Sequence, residues 1–261
     1  MRSRLVPILG FILLLSVSSS AQTIQDNGVV NAAGSGHSTI VAPGSLISIF
    51  GSGLAGGLST ANSIPISTTL GDVDSVTING TAAPLVFVSD SQINAQMPWG
   101  IDPGQANVVV NRAGTASAPM TVQVNPFAPA LFGLNLGTLQ AIATNADGSL
   151  TAPASSIPGI AAHPATAGDT IVLFATGLGP VSPAVTDGAN SLDTTRTTTT
   201  TPAVLIGGAQ ASVSSSVLSP QFVGVYQLNV VVPGGVTGNG VGVQIQIGGA
   251  NSVDPVTIAL Q

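Results

Sequence analysis

The sequence has no cysteine, no lysine and no glutamate, and aromatic residues fill only 3% of its 261 positions. Without cysteine there is no disulfide framework, no thiol nucleophile and no thiolate metal site. With 4 basic residues, all arginine, against 10 acidic ones, there is no basic patch to neutralise phosphates, which excludes a nucleic-acid binder. Charged residues make up 5% of the chain, against roughly 25% in an ordinary soluble domain. Helical bundles and coiled coils, which draw on Glu, Lys and Arg for propensity and surface pairing, are excluded as well. The chain is instead rich in small and aliphatic residues, with 32 Gly, 18 Pro and a hydrophobic fraction of 44%.

The amino end reads as a secretory leader over residues 1–21. Arg2 and Arg4 give the positive end, Leu5 to Val17 is nearly all apolar, and Ser19-Ser20-Ala21 offers small residues for cleavage. An apolar run of about thirteen residues is short of the ~20 needed to span a bilayer. No later stretch is long enough either, so no transmembrane anchor is expected after cleavage. The expected location is secreted or cell-surface.

Beyond Ala21 the apolar residues come in short β-branched bursts between Gly, Pro, Asn, Asp and Ser. Leu46 to Phe50, Val76 to Ile78, Leu85 to Val88, Val108 to Val110 and Met120 to Val124 form one series. Ile171 to Phe174, Val204 to Ile206, Val223 to Val232, Val241 to Ile247 and Val256 to Leu260 form another. Runs of this length with turn signals between them are strands.

The two series are versions of each other. Pro43 to Leu54 aligns with Ala167 to Leu178, Ile78-Asn79-Gly80 with Ile206-Gly207-Gly208, and Gln92 to Pro98 with Gln227 to Pro233. In Gln92 to Met97, Ile93, Ala95 and Met97 share one side and the amides share the other, the alternation of a strand with one buried face. Each half must bury its apolar faces internally, and two packed sheets do this. The expected fold is all-β, a tandem of β-sandwiches. The expected organisation is a leader at 1–21, a flexible segment at 22–39, a first sandwich at 40–125 and a second at 126–261. The second carries an extra strand-loop segment at its start. Thr194 to Thr201, broken only by Arg196, reads as an extended loop or mobile bridge, with strand formation open to it through its threonines.

Asn31-Ala32-Ala33, Val41 to Gly51, Gln92 to Trp99, Ala175 to Gly179 and Phe222 to Val230 resemble a secreted, Solibacter-type family abundant in Acidobacteria. That family is often found as the carboxy-terminal portion of longer exported proteins. Each repeat is similar, more loosely, to the immunoglobulin-like TIG/IPT module, through the opening glycine, apolar strand and following Gly-Leu step of Gly44 to Leu54 and Gly168 to Leu178. The resemblance implies immunoglobulin-like sandwiches and carries over no functional residues.

For catalysis the inventory is poor. His37 and His163 are the only imidazoles, and no Gly-x-Ser-x-Gly elbow is present. Asp72 and Asp74 would face the same way in a strand, the one arrangement open to a carboxylate pair. Asp187, Asn190 and Asp193 could offer oxygens to calcium but lack a calcium-loop pattern. Asn79-Gly80-Thr81 is a formal sequon that reads more simply as a hairpin turn. Trp99, the lone tryptophan, is a candidate ligand or domain-junction contact, and Tyr226 falls on an inward face. The expectation is a non-enzymatic module needing no cofactor and no metal. Its partners would be other exported proteins, itself or envelope polysaccharide. The alternative is a carbohydrate-binding module with Trp99 in the binding patch.

Overall fold

β-branched runs cut by glycine and proline can bury an apolar side only by pairing with one another. The computed structural model describes residues 22–34, 38–135, 139–253 and 256–261, and there the runs pair as 24 strands with no helix. The leader at 1–21 and His37 lie outside the described residues.

The first half contains β1 (Thr23–Asn31), β2 (Ile40–Val41), β3 (Leu46–Ser52), β4 (Ser59–Thr60), β5 (Val73–Ile78) and β6 (Thr81–Ala82). It continues with β7 (Leu85–Val88), β8 (Gln92–Gln96), β9 (Gly104–Arg112), β10 (Thr115–Ala116) and β11 (Met120–Val124). One sheet has the order β1-β3-β8-β7-β4 and the other β2-β11-β9-β5-β6, with β10 beside β9. Ile47, Ile49, Val76, Leu85, Ile93 and Val108 are fully buried between them.

The second half opens with β12 (Ala130–Leu131), β13 (Gly133–Asn135), β14 (Leu139–Ala141), β15 (Ala143–Thr144), β16 (Thr170–Thr176) and β17 (Val181–Ser182). After these come β18 (Thr197–Thr198), β19 (Ala203–Ile206), β20 (Ala209–Leu218), β21 (Tyr226–Val231), β22 (Gly238–Ile247), β23 (Ala250–Asn251) and β24 (Val256–Leu260). Its faces join in one hydrogen-bonded path, because β20 pairs with β19 through Ala209 to Ala211 and with β21 through Ser212 to Leu218. The hairpin around Phe132 and Ile142 then ties β16 to β24. A separate core, with Ile171, Leu173, Tyr226, Leu228 and Ile258 fully buried, fills this half.

Both halves use the same register. Ile47 faces Ala95 and Ile49 faces Ile93 across β3 and β8, while Ile171 faces Val230 and Leu173 faces Leu228 across β16 and β21. The Asn79-Gly80 turn has φ of 48° and 86°, and the Gly207-Gly208 turn 59° and 81°. Ser117 Oγ accepts the Val110 N–H at 3.1 Å, and Ser252 Oγ accepts the Ile245 N–H at 2.9 Å. These two serines, which sequence reading passed over, occupy the same place in each half's last hairpin.

One expectation needs correction, and one open alternative is decided. Within the expected flexible segment at 22–39, the described residues 22–34 are not a loose lead-in, because β1 pairs with β3 and sends Ile24 and Val29 into the first core. Gln25 to Gly28 looks like a turn, and the chain instead uses it as a bulge: pairing lapses between Ile24 and Val29, and Asn27 takes φ 54°. Gly28 passes so close to β3 that a Cβ there would lie 2.6 Å from the Phe50 carbonyl oxygen. For Thr194 to Thr201 the strand alternative holds at Thr197–Thr198, since β18 pairs with both β17 and β20, and Arg196 is buried.

Candidate functional site

Apart from Tyr226, cores of small aliphatic side chains leave the large rings at their margins. All six described phenylalanines keep some surface outside the two cores, as does Trp99. Several of these rings gather where the halves meet.

That junction is fastened by hydrogen bonds between distant residues. Thr176 Oγ1 accepts the Leu46 N–H at 2.9 Å and donates to the Gly224 carbonyl at 2.7 Å. Thr176 is fully buried, so both backbone groups depend on its hydroxyl. Gln96, also fully buried, accepts the Gly188 N–H on Oε1 at 2.7 Å, and the Gly188 carbonyl takes the Ile66 N–H at 2.8 Å. Asn31 donates its side-chain amide to the Ala128 carbonyl at 2.9 Å. Gly188 is needed there: its φ is 77°, and a Cβ would come within 2.5 Å of the Ile66 oxygen.

Trp99 belongs to this junction. Its N–H backbone group donates to Asp187 Oδ1 at 2.8 Å, and its ring packs against the second core. The ring lies directly over Gly44, where a Cβ would meet ring carbons at 2.3 Å. Its indole nitrogen and the Gln96 side-chain nitrogen are both buried without a protein partner. One face of the half-buried ring is thus covered by Gly44.

Beside the junction is an open apolar depression. On β16, Ile171, Leu173 and Ala175 point inward, so by strand parity Phe174 points out. Phe174 and Phe132 bond through their backbones, and Ile142 joins Phe132 in the same way. Together with Leu46, Phe222 and Val225 they line a pit of about 240 Å³. Leu46, Phe222 and Val225 also line the adjoining groove of about 670 Å³, which runs between residues 61–66 and residues 190–192 and 221–223.

The remaining sequence candidates are each held by local structure. Asp72 accepts the Gly56 N–H on both oxygens and Arg112 Nε at 2.7 Å, and these partners, the Gly56 amide foremost, lower its pKa. A carboxylate so held is the reverse of a general acid. Asp74 takes the Gly114 N–H at 2.8 Å. Asp187, Asn190 and Asp193 do not converge, because Asp187 serves Trp99, Asn190 accepts the Leu192 N–H, and Asp193 pairs with Arg196 at 2.6 Å. Asn79 Oδ1 caps the Asn107 N–H at 2.8 Å. Tyr226 is fully buried and donates its hydroxyl to the Gly179 carbonyl; burial pushes its pKa up.

His163 sits beside Asp147, with Nε2 3.2 Å from Asp147 Oδ2 and Nδ1 2.9 Å from the Pro164 carbonyl. Two acceptors suit a ring protonated on both nitrogens, and the His163 pKa is raised, by the Pro164 carbonyl first and Asp147 second. Ser149 donates its hydroxyl to Asp147 at 2.6 Å rather than to the imidazole, and its hydroxyl and amide hold the Asp147 pKa down to about 2. The carboxylate lies between serine and histidine, so the imidazole is not placed to take the serine proton.

Residues 36–124 match the IPT/TIG domain. The matched region spans β2 to β11, and β1 lies ahead of it. No curated protein matches the chain in sequence. Among solved structures, the chain is similar to the plexin A4 extracellular region at 12% identity and TM-score 0.30, covering 92% of this chain and 18% of that one. It is similar to SGBP-B of the Bacteroides ovatus mixed-linkage glucan utilization locus, in complex with a mixed-linkage heptasaccharide, at 13% identity and TM-score 0.35, covering 85% of this chain and 44% of that one. It is also similar to the Escherichia coli adhesin FdeC at 13% identity and TM-score 0.24, covering 94% and 64% of the two chains. The chain thus spans less than half the length of the first two. Among the described residues, no helix is long and apolar enough to cross a membrane.

Proposed function

We propose that the chain is an exported, non-catalytic binding module in which two immunoglobulin-like sandwiches are locked at one junction. It presents a β surface with few charges to other exported proteins, with copies of itself and envelope polysaccharide as the other classes of partner. The leader-like residues 1–21 and the resemblance to a secreted family support export. The observation that carries the binding role is the division of side chains. Ionisable groups such as Asp72, Asp74, Asp187 and Asp193 are spent fastening loops, whereas three phenylalanines converge on an open depression. Apolar surface gathered in one place is how contact sites are built.

The test immobilises the mature chain and offers envelope proteins, insoluble polysaccharides and chromogenic ester and glycoside substrates. Saturable binding to an envelope component without turnover is the expected result. Turnover abolished by Asp72→Asn or Asp74→Asn would overturn the reading. The carbohydrate alternative rests on Trp99, whose packing over Gly44 leaves it less support. It would be favoured by polysaccharide binding that disappears in Trp99→Ala with the fold intact.

A further inference from the structure

The pit and groove beside the junction have a chemistry that narrows what can fill them. All six side chains around the pit, Leu46, Phe132, Ile142, Phe174, Phe222 and Val225, are hydrocarbon. A sugar hydroxyl entering there would lose water with no side-chain group to replace it. At about 240 Å³ the pit is also smaller than the ~300–1,000 Å³ typical of small-molecule sites. It suits one bulky apolar side chain, the kind of anchor on which protein contacts concentrate their affinity.

The adjoining groove adds length and a different character. Asn62, Ser63, Asn190 and Gln221 line it with amides and a hydroxyl that are able to bond a peptide backbone. No charged side chain lines the pit or the groove. Asp193 and Arg196 border a hollow that shares Ile64, Asn190 and Leu192 with the groove, and they pair with each other at 2.6 Å. A charged partner segment would therefore be desolvated without compensation. Exposure is concentrated on the rim, with Leu192 at 76%, Phe222 at 55% and Ile64 at 47%. The groove is continuous with the junction where this chain already packs one half on the other, and Leu46 belongs to both.

The geometry points to a docking site for an extended, uncharged segment of another exported polypeptide, which seats one Leu, Phe or Trp side chain in the pit. This inference rests on the binding-module reading and names its partner chemistry. The complementarity is apolar and amide-based, so binding is insensitive to salt, because no ion pair contributes to it.

The experiment titrates the isotope-labelled mature chain with three soluble peptides of Ser, Thr, Asn and Gly that carry a central Trp, Leu or Ala. The Trp and Leu peptides bind about ten-fold or more tightly than the Ala peptide, a difference in keeping with a buried anchor. Their shift changes fall on Leu46, Ile142 and Phe174, and their affinity is the same in low and high salt. Phe222→Ser, an exposed change that keeps the fold, abolishes the difference, and Phe174→Ser repeats the loss on the pit floor. Equal binding of the Ala peptide, or unchanged binding in Phe222→Ser, would overturn the proposal. So would a soluble β-glucan that displaces the Trp peptide, or a concentration-dependent dimer that Phe222→Ser dissolves, since the occupant would then be a glycan or a second copy. Turnover on the substrate panel would overturn the module reading while leaving the peptide result to stand or fall by itself.

Discussion

The leading sheets of the two halves have the same inside and different outsides. Inside, Ile47 and Ile49 on β3 correspond to Ile171 and Leu173 on β16, and each meets its partner strand in the same register. Outside, the first half carries a polar ladder, with Asn94 Oδ1 accepting Ser48 Oγ at 2.9 Å and Gln92 Nε2 at 2.8 Å. Further along that face Gln96 is covered by the loop bearing Gly188. The second half has Val172 in the place of Ser48, and its Phe174, the counterpart of Phe50, lines an open pit with Phe132 and Ile142. Interior positions are constrained by a core that both halves must fill. Exterior positions are free to specialise, and here one face becomes the junction and the other a candidate contact surface.

The largest contrast is expected at the two opening glycines. Gly44 has φ 75° and lies under the Trp99 ring, whereas Gly168 has φ 92° and open space where its Cβ would go. Gly44→Ala should cost ~3 kcal/mol or more, from backbone strain plus a clash with the ring. Gly168→Ala should cost only the strain, ~1–2 kcal/mol. Urea unfolding of both variants measures the difference, and equal costs would break the comparison.

A smaller contrast separates Thr176 from its counterpart Ser52. Thr176→Val leaves the Leu46 N–H and the Gly224 carbonyl unpaired at the junction and should cost about 2 kcal/mol. Ser52 is exposed, and Ser52→Ala should stay within about 0.5 kcal/mol. Where the halves agree, the costs should agree as well. Ser117→Ala and Ser252→Ala each strip an acceptor from a buried strand amide and should each cost about 1 kcal/mol. Unequal values would mean that the hairpins are less alike than their geometry.

The smallest effect concerns pH and belongs to the second half. The folded pKa of His163 is raised, so its pairing with Asp147 and Pro164 contributes fully below the unfolded value near 6.5. That contribution fades as pH rises through the folded pKa. Asp147, held down to about 2, contributes above its unfolded 3.8 and loses that contribution as pH falls toward about 2. Both groups are solvated, so the readout is a proton titration rather than a melting temperature. His163 should titrate above 6.5, and Asp147→Asn should bring it down; a midpoint unmoved by that change would contradict the pairing.

Much of the fold could be read from alternation. The inward faces of β8 and β21, and the turns at Asn79-Gly80 and Gly207-Gly208, follow from period-2 patterning and glycine placement. β1 was hidden because its polar Gln25 to Gly28 bulge imitates a turn. β20 was hidden because Ser212 and Ser214 to Ser216 read as loop, although a strand that changes sheets keeps one side wet for much of its length. The site was less legible. Trp99 stood out as the lone indole, but its partners Asp187 and Gly44 come together only through the packing of one half on the other. One available signal went unused: if Ile171, Leu173 and Ala175 face inward, Phe174 must face outward, and an outward phenylalanine in a chain so poor in rings marks a surface.

Through the Thr176, Gln96 and Trp99 contacts the two sandwiches form one body, which makes the groove between them a permanent surface. Residual dipolar couplings on residues 22–261 test this most directly. A single alignment tensor fitting amides of both halves together is the result this account requires. Two tensors of different magnitude or orientation, one for each half, would contradict it.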